Sequence, residues 1–168
     1  MKIFHPFTFV IISLTLISTS INSSASDTIT VKTISMELAR DIANESIIVC
    51  RKNGYQVSAV VVDRSGLLQV ALRDDLAPRF TLQLAEEKAN SVILSGLKSG
   101  ELRQNRGDIR PELNHMDGII IMHGALPIEI SGSRVGAIGV SGAPGGEKDE
   151  MCAQKALEHF SERMEFSD

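Results

Sequence analysis

Three groups of residues in this 168-residue chain have types and spacings suited to chemistry. The densest is Gly136-Ala137-Ile138-Gly139-Val140-Ser141-Gly142-Ala143-Pro144-Gly145-Gly146-Glu147-Lys148-Asp149, where a strand-like run enters a glycine-rich loop and a helical stretch from about Lys148 to Arg163 follows. Glycines let a backbone approach a ligand closely, and amides at a helix start favour an anion such as a carboxylate or propionate. A tight strand-to-helix turn explains the same glycines by geometry alone. The loop has neither the Gly-Lys-Ser/Thr of a Walker sequence nor the G-x-G-x-x-G of a dinucleotide fingerprint.

Arg73 and Lys88 form the second group, one offering a planar fork for a carboxylate and the other a point charge. Arg73 could equally pair with Asp74, Asp75 or Glu86. Lys88 shares a helical side with Leu84, Ala85 and Val92, so its head either snorkels to water or points into a ligand site. With Ser91 on that side, and with Ser141, Gly142, Pro144, Gly145 and Gly146 of the loop, these two complete the candidate ligand-binding set.

The third group is His115 and His123, each beside a methionine, Met116 or Met122. Both residue types can ligate iron. Neighbours on an extended segment face opposite ways, so Met122 and His123 cannot both reach one metal there. The alternative for either histidine is a turn residue held in hydrogen bonds or water. Ser141 has no histidine at a recognisable spacing and does not sit in G-x-S-x-G, so no nucleophile-base pair is in evidence. The pairs Asp74-Asp75 and Glu86-Glu87 read as solvated surface.

The elements that must hold these residues follow from the apolar period. Ser35 can cap a helix with Leu38, Ala39, Ile42, Ala43, Val49 and Cys50 on one face, ending at Asn53-Gly54. Val57 to Val62 is a continuous apolar run that suits a strand buried on both faces, and Asp63-Arg64-Ser65-Gly66 returns the chain along Leu67 to Leu72 as a hairpin. A second helix starts near Thr81 and runs to Gly96. Ser99 to Pro111 reads as a short helix and a loop. Ile119 to Ile121, Leu126 to Ile130 and Arg134 to Val140 are strand-like and separated by turns. Short turns between successive strands demand antiparallel pairing. The expectation is an α/β (α+β) fold with a five-stranded antiparallel sheet flanked by helices.

Composition excludes several classes. Hydrophobic residues make up 43% and charged residues 23%, which suits one domain with its own core and not a disordered chain. The net charge is −4, with Lys and Arg spread singly, so there is no basic footprint for nucleic acid.

Met1-Lys2, the apolar run Phe7 to Leu16 and the small residues Ser23-Ser24-Ala25 have the form of a secretory signal peptide over residues 1–25, leaving one domain over 26–168. The apolar run is well short of the ~20 residues of a spanning helix, so membrane insertion after cleavage is not expected. Export, to the periplasm or the medium, would permit a bridge between Cys50 and Cys152. Two separate buried thiols are the preferred reading, because free Cys is commonly buried and sequence cannot place two Cα atoms within ~7 Å.

Asp63-x-x-Gly66, Arg73-x-Asp75, Pro78, Lys88-Ala89, Leu126-Pro127 and above all the Gly136 to Asp149 segment resemble the haem-binding family of HbpS and GlcG type, over about Ile34 to Phe160. The resemblance implies a profilin-like sandwich, a homo-oligomer (often an octamer) and haem as cofactor, bound or slowly degraded. Where that family carries Lys-Ala-aromatic-Thr, this chain has Lys88-Ala89-Asn90-Ser91. Members differ in how they hold the iron, so His115 and His123 stand as candidate axial ligands from the residues alone. Three functions are open: an exported haem-binding protein, an enzyme or accessory subunit acting on a small hydroxy or keto acid, and a ligand-free partner of a sensor.

Overall fold

Ser35 caps the first helix, α1 (Met36–Lys52), its Oγ accepting the Leu38 N–H at 3.3 Å. That satisfies one of the donors a helix start leaves open. The apolar stripe of α1 is buried, and the helix ends at Asn53 with Gly54 at φ +77°. Strands β1 (Ser58–Asp63) and β2 (Leu68–Arg73) form the expected hairpin. Helices α2 (Phe80–Ser95), α3 (Ser99–Asn105) and α4 (Arg110–Leu113) follow, then β3 (Ala125–Ile130), β4 (Ser133–Ser141), α5 (Gly146–His159) and α6 (Ser161–Glu165). The single helix expected to run to Arg163 is thus two, divided at Phe160.

This computed structural model describes Met1, Lys2 and residues 27–166. Residues 31–168 form one compact unit; of the separate unit 1–30, the few described residues carry no helix or strand. The expected signal peptide lies almost wholly outside the described residues. Among the described residues no helix is long and apolar enough to cross a membrane.

All strand pairs are antiparallel, in the order β2-β1-β4-β3. The sheet therefore has four strands and not the expected five. Ile119 to Ile121 spend their main-chain groups elsewhere: the Ile120 N–H donates to Glu87 O of α2 and the Ile121 N–H to Asn114 Oδ1. The outer edge of β3 is also closed to a fifth strand. Ala125 N–H points outward and is held by Ser99 Oγ at 2.9 Å, Pro127 has no N–H, and the ladder is irregular between Ile128 and Glu129.

The core lies on both faces of the sheet. Ala59 and Val61 of β1 pack with α1 and α5 on one side, while Val60 and Val62 meet α2 on the other, which is why β1 reads as unbroken valines. On β4, a Cβ at Gly139 would run into the carbonyl of Ala85, so its absence lets α2 lie directly against the sheet.

Cys50 and Cys152 are joined, contrary to the preferred reading of two separate thiols. Both are fully buried, and the packing of α1 against α5 brings their Cα atoms to 5.4 Å. Spacing along the chain carries no such information.

Candidate functional site

The Gly136 to Asp149 segment is organised around one buried ion pair. Lys88 of α2 reaches past the end of β4, and its Nζ donates to Asp149 Oδ2 at 2.9 Å and to Val140 O at 3.0 Å. The other oxygen of Asp149 accepts the Ala143 N–H at 2.8 Å. The residues are 1% and 3% exposed. Burial pushes the Asp149 carboxyl up, against the pull of the adjacent ammonium. Gly124, at φ +121°, covers the pair: a Cβ there would sit 2.8 Å from Lys88 Nζ and 2.7 Å from Val140 O. Lys88 thus ties α2, β4, the loop and α5 together, and the charge on its buried stripe is met inside the protein.

The loop is divided in its roles. Gly142, at φ +135°, would place a Cβ 2.9 Å from Val57 Cα, and a Cβ on Gly146 would lie 2.7 Å from His123 O. Those two glycines pack against the chain itself. Pro144 and Gly145 face solvent. The carboxylate of Glu147 is held below its ordinary range first by its own backbone N–H. Acidic groups of the first turn of α5 therefore serve amides that an external anion could have taken.

The remaining expected residues are placed apart. The Arg73 guanidinium donates to the carbonyls of Ala77 at 2.6 Å and of Asp74 and Asp75 at 3.3 Å, pinning the turn into α2. Asp74 pairs instead with Arg51, which donates through Nη2 at 2.6 Å and Nε at 3.1 Å. Those hydrogen bonds hold the Asp74 carboxyl below its ordinary range. Ser91 Oγ donates to Lys88 O at 2.6 Å, and Ser141 is buried opposite Ser58 in the β1–β4 ladder. His115 is exposed in the turn after α4.

His123 is different. It is half-buried, with Nε2 3.7 Å from Glu147 and Nδ1 3.7 Å from Glu150. It lines a groove of about 520 Å³ with Lys98, Glu147, Glu150, Met151 and Gln154. A second groove of about 440 Å³ shares Lys98 and Gln154 with the first and adds Leu97, Leu126, Pro127, Leu157 and Met164 together with the carboxylates Glu101 and Glu129. Each volume falls in the range of roughly 300–1,000 Å³ usual for small-molecule sites. Among the described residues, no three His, Cys, Asp or Glu side chains are grouped to hold a bare metal ion.

This double groove was not legible as a site. Glu147 and Glu150 share a helix face by their i, i+3 spacing, which was the one available signal. Lys98 and Leu97 reach the groove only through the α2–α3 turn, where Gly96 at φ +75° turns the chain.

The chain matches the family described as "Haem degrading protein HbpS-like" over residues 34–158. A crystal structure of HbpS superposes with a TM-score of 0.75 at 29% identity, covering 83% of this chain and 98% of that one. The protein ORFY of Klebsiella pneumoniae gives 0.74 at 28%, covering 83% and 98%. A structure of a PduOC:heme complex gives 0.66 at 21%, covering 75% and 94%, a likeness of fold. No curated protein is recognisably similar in sequence.

Proposed function

The chain belongs to the HbpS-like haem-degrading family, and from that premise we propose that it is an exported haem-binding protein holding the tetrapyrrole in the double groove between the α2–α3 turn and α5. The observation that carries this reading is the half-buried imidazole of His123, which lines one groove with Met151, while the adjoining groove sets Leu97, Pro127, Leu157 and Met164 among the polar Glu101, Glu129 and Gln154. The donor set fits the group. His123 supplies the nitrogen that haem iron takes, Leu97, Leu126, Pro127 and Leu157 supply apolar wall, and Lys98 supplies a cation for a propionate. Haem bound there would bring a redox-active iron, which suits sequestration or slow degradation. In that role Glu150, 3.7 Å from Nδ1, would orient the ring, and Nε2 would exchange its approach to the exposed Glu147 for the iron.

Two further features support the rest of the reading. The Cys50–Cys152 bridge suits an oxidising compartment and agrees with the signal-like N-terminus. The exposed apolar residues Leu67, Leu68, Leu76, Phe80 and Leu94 suit a homo-oligomer. The alternative, a small hydroxy or keto acid at the glycine loop, has less to bind, since Asp149 already takes the Ala143 N–H.

Hemin titration followed at the Soret band tests the haem reading. The expected result is a saturable shift that His123→Ala abolishes, that His115→Ala leaves intact, and that Lys98→Ala weakens by no more than about fivefold, the worth of an exposed charge. A shift unaffected by His123→Ala removes the assigned ligand, and no shift at micromolar hemin removes the function.

A further inference from the structure

The two edges of the sheet are built differently, and we propose that the open one, along β2, is a self-association surface that pairs antiparallel with the same strand of a second copy of this chain. The proposal rests on the homo-oligomeric reading above and adds the surface to it.

Main-chain directions along β2 follow from the bonds at its two ends. Asp63 N–H donates to Leu67 O and Asp74 N–H to Val57 O, while Ser58 stands opposite Arg73 and Val60 opposite Ala71. In an antiparallel ladder this alternation points the N–H and C=O groups of Ala71 and Arg73 out of the sheet edge. The β3 edge is closed by Pro127, by the Ser99 cap on Ala125 and by an irregular register. From Val70 to Arg73, β2 has none of these devices; its one irregularity lies at Gln69, toward the hairpin. An unguarded edge of this kind is a template for another strand.

Apolar residues stand at both ends of that edge. Leu68 is 52% exposed at the start of β2, and Leu76 and Phe80 are 80% and 58% exposed just beyond its end. Leu68 opposes Val62, which packs against α2, so Leu68 lies on the side of the sheet where Phe80 opens α2. A two-fold axis at Leu72 sets Ala71 of each copy opposite Arg73 of the other, so that four main-chain hydrogen bonds can form. It also carries the Leu68 end of each strand to the Leu76 and Phe80 end of the other. The contact is isologous and closes on itself, giving one sheet of eight strands. Leu67 to Leu72 carry no charge, and the Arg73 guanidinium is folded back on the carbonyls of its own turn; the charges at the far end are Asp75, which the two-fold sets near the neutral Gln69 of the other copy, and Arg79, which stacks on Phe80 at 4.1 Å.

Size-exclusion chromatography with light scattering on the full chain, wild type against Ala71→Pro and Leu76→Asp, tests the surface. Proline at 71 removes only an outward N–H, and Leu76 is in an exposed turn. Circular dichroism checks that each variant is folded, and if Ala71→Pro is not, Leu76→Asp decides. The expected outcome is a folded variant whose mass falls at least twofold from wild type. A folded variant with the wild-type mass overturns the β2 surface and leaves the oligomeric reading standing. A wild-type chain that is monomeric at every concentration overturns both.

Discussion

Lys88 Nζ lies 2.9 Å from Asp149 Oδ2, with both side chains shut off from solvent. A buried pair of this kind is weak evidence for stability as such, because two desolvated charges cost nearly what their attraction returns. Its effect is positional. It fixes where α2, the end of β4 and the first turn of α5 meet, and so it places His123, whose carbonyl lies against Gly146.

Removing one partner leaves the other buried and uncompensated. Lys88→Met is expected to lower unfolding stability by about 3–5 kcal/mol. Adding Asp149→Leu recovers part of that loss, though the Ala143 N–H then lacks its acceptor. Urea unfolding of the two variants reads both effects, and an unchanged midpoint in Lys88→Met contradicts the assignment.

The Cys50–Cys152 bridge closes a loop with a sequence separation of 102. Chain-entropy reasoning gives about 4–5 kcal/mol for a loop of that length. Cys50→Ala with Cys152→Ala is therefore expected to unfold at much lower denaturant. Because both sulfurs are buried, the native protein should react with a thiol reductant only on opening. Thiol titration with and without urea checks this, and rapid reduction of the folded chain goes against it.

Asp74 and Arg51 give the stability a pH dependence. Arg51 depresses the folded-state pKa of Asp74, so the folded state releases this proton more readily than the unfolded one. The contribution is complete above the unfolded value of about 4 and is lost as pH falls through the lower, folded value. Asp74→Asn should be less stable than wild type at neutral pH, and the gap should narrow below pH ~4. Thermal unfolding across that window measures it, and a gap that stays constant would argue against the pair.

Legibility followed the range of the interactions. The helix from Ser35 to Asn53 was plain because its cap, its apolar stripe and its stop are all local. The valine run of β1 announced a strand covered on both faces. Ile119 to Ile121 misled for the same reason, since a β-branched run looks like a strand whether or not an edge is free to receive it. The β3 edge beside that run was not free, and the fact that closes it, Ser99 on Ala125, joins residues 26 apart.

Local period and turn chemistry are written in neighbouring residues, so helix positions, the hairpin, the two-sided core of β1 and the family likeness of the final loop could be read directly. The pairing of Cys50 with Cys152, of Lys88 with Asp149 and of Arg51 with Asp74 could not. Each joins groups 23 to 102 positions apart, and charge or sulfur shows no partner until packing sets the distance. The double groove is of the same kind: its walls come from α2–α3, β3 and α5, and their side chains share a space only once the layers have closed.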